Sequence, residues 1–111
     1  MEITIQEFKH CDLIKVKGRV DSATAPDFSK ALEKANNAGR FKIAVDMSEL
    51  EYMSSAGFRA LLATQRNCKK YNRGELVLIS VPERIREALE LAGFTELFKT
   101  FDDTVAAVGS F

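Results

Sequence analysis

The chain has 111 residues, 46% of them hydrophobic and 29% charged, and its 16 basic and 16 acidic side chains give a formal net charge of zero. This composition predicts one globular domain over residues 1–111 and excludes disordered, collagen-like and coiled-coil classes. A neutral chain lacks the large basic surface of nucleic-acid-binding proteins. No apolar run approaches the ~20 residues of a membrane span, and the amino terminus lacks the pattern of a signal peptide. We therefore expect a cytoplasmic protein that binds neither nucleic acid nor membrane.

The first third of the chain predicts a hairpin followed by a helix. Residues 3–8 and 13–20 alternate between apolar and polar side chains and are joined by a short link, so they predict two antiparallel strands. Thr24, with Asp27 three residues later, has the spacing of a capping box at the start of a helix. Gly39 is a typical helix stop.

The middle of the chain predicts a third strand and a second helix. Alternating apolar residues over 41–45 indicate a strand that ends near Asp46. A helix then covers about residues 55–71. Its predicted buried face consists of Phe58, Leu61, Leu62 and either Gln65 or Cys68.

The last third predicts the remaining strands and helices. Residues 76–79 are continuously apolar, which is typical of a central strand covered on both faces. Ser80 and Glu83 repeat the capping spacing before a third helix, and a short strand over 97–101 precedes a small final helix. The order predicts a single-domain α/β fold: a mixed β-sheet with an antiparallel first strand and β-α repeats whose helices pack on the sheet.

Most motifs of enzymes and cofactor-binding proteins are absent from the chain. Its one histidine, His10, falls in the predicted hairpin turn, and no G-x-S-x-G sequence offers a nucleophile for a catalytic triad. No glycine-rich phosphate loop is present. Cys11 and Cys68 fit neither a disulfide framework nor a metal-ligand spacing, and we interpret them as small hydrophobic residues. We predict no catalytic residue, no metal and no cofactor.

One segment, residues 46–57, has unusual features where it leads from the third strand into the second helix. Gly57 in the first helical turn costs ~1 kcal/mol relative to alanine, which suggests that something approaches the backbone closely. The first turn contains no acidic residue, so the positive end of the helix dipole can accept an added anion. Ser54 or Ser55 also fits a simple N-cap, and this structural interpretation stays open.

A second candidate site is the Gly-Arg-Val-Asp segment that ends at Asp21, after the second strand. Asp21 is equally consistent with a purely local hydrogen bond in the turn. Because the carboxyl ends of parallel strands gather at one edge of a sheet, we expect Asp21 to lie near Ser54 and Ser55.

These segments make the chain resemble a free-standing STAS domain, the family of sulphate-transporter domains and bacterial anti-sigma factor antagonists. The resemblance rests on the opening hairpin, the G-R-V-D segment and the sequence D-M-S-E-L-E-Y-M-S-S-A-G-F. With the family aligned on Gly57, the phosphorylatable serine of the antagonists falls on Ser55, and Ser54 is the second choice. The functional aspartate of the family's earlier loop falls on Asp21.

The resemblance implies a partner switch in which this domain is a binding module and a substrate. The unmodified domain binds an anti-sigma factor, often a serine kinase of the histidine-kinase-like ATPase fold, and so frees a sigma factor. The kinase phosphorylates the serine and releases the domain, and a serine phosphatase resets the system. The implied partner-binding residues are Asp21, Ser22, Thr24, Met53, Ser54, Ser55, Gly57 and Arg59.

Two alternatives of different classes remain. A STAS domain also serves as a docking subunit of a lipid-transport ATPase assembly, and the identity of its partner would distinguish the two roles. A small hydrolase that uses Ser55 would need a base, and the sequence places none beside it. We interpret the basic residues of the second helix as a solvated face that complements the helix dipole. They are Arg66, Lys69, Lys70 and Arg73.

Overall fold

The computed structural model describes residues 1–111 as one five-stranded sheet with four α-helices. The strands are β1 (Glu2–Glu7), β2 (Asp12–Val20), β3 (Lys42–Met53), β4 (Glu75–Ile79) and β5 (Thr100–Phe101). The helices are α1 (Ala25–Asn37), α2 (Ser55–Lys69), α3 (Glu83–Leu91) and α4 (Thr104–Gly109). The strands lie side by side in chain order, with β1 antiparallel to β2 and all other neighbours parallel. The predicted mixed α/β fold is confirmed.

The main core lies between one face of the sheet and helices α1, α2 and α3. Each helix contributes the apolar side chains of its inner face, and the strands contribute every second residue. A smaller cluster on the opposite face joins Ala107 of α4 to Ala44, Val77 and Ile79. Strand β4 is therefore buried on both faces, as its continuous apolar run predicts. No helix is both long enough and apolar enough to cross a membrane.

Strand β3 is longer than the sequence predicts, and Asp46 lies within it rather than at its end. The strand continues to Met53, and the inward positions Met47, Leu50 and Met53 are all buried. The spacing of these three residues departs from strict alternation because the pairing with β2 contains two register shifts. These irregularities hide the second half of the strand from a search for a two-residue period.

Both predicted capping boxes are wrong. Thr24 occupies the N-cap position of α1 without capping it, and its hydroxyl donates to the Arg19 carbonyl at 3.0 Å. The N-cap residue of α3 is Pro82, while the Ser80 hydroxyl donates to the Asp102 carbonyl at 2.8 Å. In each case the hydroxyl donates to a carbonyl outside its own helix, of strand residue Arg19 or of loop residue Asp102, which the spacing of the sequence does not reveal.

The end of one predicted element and the start of another also differ from expectation. Helix α2 ends at Lys69 rather than Tyr71, because Tyr71 and Asn72 adopt left-handed φ angles of 59° and 55°. The predicted last strand shortens to Thr100–Phe101, after a 3-10 turn over Thr95–Leu97.

Candidate functional site

The ends of β2 and β3 bring the two candidate segments together. Val20 and Met53, the last residues of these strands, are direct neighbours in the parallel ladder. The Ser54 N–H donates to the Val20 carbonyl at 2.7 Å, which extends the pairing by one residue. The turn that begins at Asp21 therefore lies beside the first turn of α2, as expected from the parallel arrangement of the strands.

The carboxylate of Asp21 organises the turn between β2 and α1. One oxygen, Oδ1, accepts from the backbone N–H groups of Ala23 at 3.0 Å and Thr24 at 3.1 Å. The backbone N–H of Asp21 donates to the Thr24 hydroxyl at 2.9 Å. The hydrogen bond from the Thr24 backbone N–H is the main cause that lowers the pKa of Asp21. The hydrogen bonds from the Thr24 hydroxyl and the Ala23 N–H and the positive charge of Arg19 lower it further, and desolvation opposes them. The second carboxylate oxygen makes no hydrogen bond within the protein, so a negative charge stays available to a partner.

The two serines at the start of α2 have different environments. Ser54 is the N-cap residue, half-buried, and its hydroxyl accepts from the Gly57 N–H at 3.4 Å. The structural interpretation therefore holds for Ser54. Ser55 is the first residue of the helix, is exposed, and its hydroxyl makes no hydrogen bond within the protein. The first turn carries no acidic side chain, so Ser55 offers its hydroxyl at an uncompensated positive helix end.

The close approach to Gly57 that the sequence indicates comes from side chains inside the protein. A Cβ at this position would lie 2.6 Å from Cγ of Met53 and 2.9 Å from Cγ1 of Val20. The missing side chain lets α2 pack directly on the ends of β2 and β3. Gly57 is buried, and Met53 is 5% exposed. Both were expected to face a partner, and both instead lie beneath the surface that carries Ser55.

The other expected residues form a surface between the starts of α1 and α2. Ser22, Ser55 and Arg59 are exposed, whereas Asp21 and Thr24 are half-buried. Arg59 makes no ion pair within the protein and lies at the rim of a shallow groove of about 380 Å³. The groove is otherwise lined by small side chains of the two helices, namely Ser22, Ala25, Pro26, Ser29, Ala56, Ala60 and Ala63.

Sequence reasoning missed a stacked pair at the same edge of the sheet. Arg19 and Tyr52 are neighbours in the β2–β3 ladder, and the Arg19 guanidinium carbon lies 4.6 Å from the centre of the Tyr52 ring. Tyr52 remains 39% exposed. The pair becomes visible only once the register of the two strands is known, because the pairing is shifted by the irregularities described above.

His10 follows β1 and precedes β2, so it lies at the opposite edge of the sheet from Ser55. No group of three or more metal-ligating side chains is present.

Comparison with known proteins identifies the family of this chain and finds relatives named as anti-sigma factor antagonists. Residues 3–99 match the family described as "Mlab, STAS domain". BtrV of Bordetella bronchiseptica, assigned as an anti-sigma factor antagonist, is 29% identical over 111 residues that cover 100% of this chain and 95% of BtrV. The anti-sigma-B factor antagonist of Listeria monocytogenes is 26% identical over 99 residues, covering 89% of this chain and 85% of that protein.

Solved structures reproduce the whole fold at low sequence identity. A Thermotoga maritima protein assigned as an anti-sigma factor antagonist has a TM-score of 0.89 and 17% identity, covering 97% of this chain and 92% of that one. The antagonist SpoIIAA in its unphosphorylated form has a TM-score of 0.77 and 15% identity, covering 98% and 96%. The sequence match and the shared architecture together show that this chain belongs to the STAS domain family.

Proposed function

We propose that this STAS domain is an anti-sigma factor antagonist that binds an anti-sigma factor and is released when Ser55 is phosphorylated. The observation that carries the proposal is the exposed Ser55 hydroxyl at the acid-free start of α2, beside the turn organised by Asp21. The antagonist names of the sequence relatives support the binding role. One structural relative, SpoIIAA, has been solved in both a phosphorylated and an unphosphorylated form.

The local geometry favours Ser55 over Ser54 as the acceptor. The Ser54 hydroxyl is engaged in capping α2, and its residue is half-buried. A phosphate on Ser55 would lie at the positive end of the helix dipole, which stabilises added negative charge. Arg59, one turn further along the same helix face, carries an unpaired positive charge that also favours a phosphate there.

The added charge is sufficient to release a partner without refolding the domain. A phosphoserine carries about −1.5 to −2 charges near neutral pH. An acidic partner group ~4 Å away, at an effective dielectric constant near 20, would be repelled by ~4 kcal/mol per charge pair. That energy corresponds to about a thousandfold loss of affinity. Phosphorylation therefore acts as an electrostatic and steric switch on a nearly rigid surface.

In this proposal the catalysis belongs to the partners. The anti-sigma factor is a serine kinase of the histidine-kinase-like ATPase fold, and a serine phosphatase removes the phosphate. The domain itself contributes a shaped surface and one hydroxyl, and it acts in the cytoplasm, where a sigma factor is released to the polymerase.

The site is tested by incubating the protein with its candidate anti-sigma kinase and ATP and locating the phosphate by mass spectrometry. We expect one phosphate on Ser55 in the wild type and in Ser54→Ala, and none in Ser55→Ala. Phosphate on Ser54 alone, or on a residue outside the start of α2, would contradict the assignment. Binding of the purified kinase, measured by calorimetry, should weaken by two to three orders of magnitude on phosphorylation.

The alternative role as a docking subunit of a lipid-transport ATPase is distinguished by the partner. The tagged protein should retain a sigma-regulating kinase from a lysate of its own organism. Retention of a transporter ATPase in its place would favour the alternative, which needs no phosphate on Ser55.

A further inference from the structure

A second pocket lies at the edge of the sheet opposite to Ser55, where β2 and β3 begin. It has a volume of about 160 Å³, and its seven lining residues are His10, Cys11, Gly39, Arg40, Phe41, Lys42 and Arg73. Three of the seven carry a permanent positive charge, a fourth is the histidine, and none is acidic. Because Arg40 is ion-paired with Asp12 at 2.7 Å, the uncompensated positive charge of the pocket comes from Lys42 and Arg73.

Arg73 is fixed in the wall of this pocket by contacts that leave its charge uncompensated. Its guanidinium stacks on the Phe41 ring, with 3.7 Å between the guanidinium carbon and the ring centre. Nε donates to the Lys70 carbonyl at 3.0 Å, and Nη2 donates to the Asn67 carbonyl. Arg73 makes no ion pair, and its Nη1 group has no acceptor within the protein. A preorganised guanidinium with free donors is well suited to bind an oxyanion.

Arg40 forms a second wall of the pocket, and Asp12, the acid that pairs with it, lies on its far side. Its Nε donates to Oδ1 of the buried Asp12 at 2.8 Å, and its Nη2 donates to the Phe8 carbonyl at 2.7 Å. Asp12 and Glu7 line a different depression, together with Arg40. Neither carboxylate therefore lines the pocket, so neither competes with an anion inside it.

Lys42 supplies the mobile positive charge of the pocket. It is exposed at the first position of β3 and makes no ion pair. Its strand neighbour Glu75 instead lies 3.9 Å from the ammonium of Lys69 and 3.4 Å from that of Lys99. A lysine whose nearby carboxylate is already shared by two other lysines is free to turn toward an anion.

We propose that this pocket is an anion-binding site that takes one phosphate group, either as inorganic phosphate or as the head of a small phosphomonoester. Its volume is well below the roughly 300–1,000 Å³ of sites that enclose drug-sized ligands, so it fits a single charged group rather than a whole nucleotide. Arg73 and Lys42 donate charge-assisted hydrogen bonds to the phosphate oxygens, and the His10 ring, which also lines the pocket, adds an N–H donor. The site is independent of Ser55 and of the proposed switch.

The test is a titration of the ¹⁵N-labelled protein with inorganic phosphate, followed by amide spectra at constant pH and constant ionic strength. A parallel titration uses glycerol 3-phosphate, which separates a preference for the free ion from a preference for a phosphomonoester. The variants are Lys42→Gln, which removes a pocket charge, and Lys30→Gln, which removes an exposed charge of α1 outside the pocket.

We expect saturable shifts centred on the amides of residues 10, 39 to 42 and 73, with at least one of the two phosphates. Lys42→Gln should weaken binding by about tenfold or more, whereas Lys30→Gln should bind like the wild type. Linear shifts without saturation, or equal weakening by the Lys42 and Lys30 variants, would show only screening of surface charge and would overturn the proposal. Unchanged affinity in Lys42→Gln would overturn it as well.

Discussion

Gly57 determines how closely the second helix approaches the sheet. Because it has no side chain, Met53 and Val20 fill the space that a Cβ would occupy. This contact fixes the first turn of α2 over the strand ends and so sets the position of Ser55. Glycine lowers helix stability by ~1 kcal/mol relative to alanine, and the close packing that only glycine permits here offsets this loss.

Replacing Gly57 with alanine should destabilise the protein although alanine is the better helix former. The new Cβ forces Met53 and the β-branched Val20 to move, and we expect a net loss of about 1 kcal/mol in the free energy of unfolding. The matched control is Gly109→Ala, where a Cβ meets nothing within 4 Å, and this variant should be neutral or slightly more stable. Urea unfolding measures both. A Gly57→Ala protein more stable than wild type would refute this explanation.

Asp21 should make folding stability dependent on acidity. Its pKa is lowered in the folded protein, chiefly by the hydrogen bond from the Thr24 backbone, so the ionised form is favoured by folding. Its contribution is complete above the unfolded-state pKa of about 3.9 and is lost as the pH falls through the lower folded-state pKa. The stability difference between the wild type and Asp21→Asn should therefore shrink as the pH falls below about 4. A difference that grows under acid would contradict the assigned direction.

At the scale of elements, the first turn of α2 contains no acidic residue, so a negative charge added there should have opposite effects on stability and on partner binding. An aspartate at position 55 places a negative charge at the positive helix end, where no acidic residue now lies. We expect Ser55→Asp to raise the free energy of unfolding by about 0.3–1 kcal/mol. The same substitution should lower the affinity for the anti-sigma factor. The control Thr95→Glu adds the same charge at another exposed site and should leave partner binding unchanged. Lower stability together with lost binding would instead indicate damage to the fold.

Gln65 ties helix α2 to the sheet through a buried amide. Its side-chain nitrogen donates to the carbonyls of Leu76 at 2.9 Å and Leu97 at 2.8 Å, and its oxygen accepts from the Leu76 N–H at 2.7 Å. Gln65 is only 4% exposed, so its removal would leave these backbone groups without partners in the interior. Near the start of β4, the Gln65 side chain thus pairs with the Leu76 N–H and carbonyl as a neighbouring strand would.

Gln65→Ala should cost about 2–4 kcal/mol, because unpaired buried groups and a cavity contribute together. Gln6→Ala, at an exposed position of β1, should change stability by less than about 0.5 kcal/mol. Thermal or urea unfolding of the pair gives the comparison. Similar stabilities for the two variants would show that the amide hydrogen bonds contribute little.

At the scale of the whole molecule, the surface around Ser55 that carries the proposed switch rests on a continuous core. The same cluster of buried side chains contains residues of β2, β3, α1 and α2, so the strand ends and helix starts around Ser55 are supported from below. Nothing in this arrangement requires a large rearrangement when a phosphate is added at the surface.

Phosphorylation should therefore change amide spectra only locally. We expect shifts for the first turns of α2 and α1 and for the Asp21 turn, with β4, β5 and α4 unchanged. A comparison of ¹⁵N spectra of the phosphorylated and unmodified proteins provides the measurement. Spectral shifts spread across the sheet would contradict the local electrostatic switch and would indicate a conformational change.

The sequence by itself determined the element types, their order and the parallel arrangement that places Asp21 beside Ser55. These features follow from local periodicity and from connection lengths, which are properties of neighbouring residues in the chain. The burial of β4 on both faces and the acid-free start of α2 were readable for the same reason.

Only the tertiary structure decided what each side chain of the site contacts. It showed that Gly57 and Met53 pack inward and that the Thr24 hydroxyl donates to the Arg19 carbonyl of β2 instead of capping a helix. It also showed that Ser54 caps α2 while Ser55 stays free. It also gathered His10, Lys42 and Arg73 around one pocket. Such contacts join residues far apart in the chain, and their partners depend on strand register and helix docking, which no local pattern encodes.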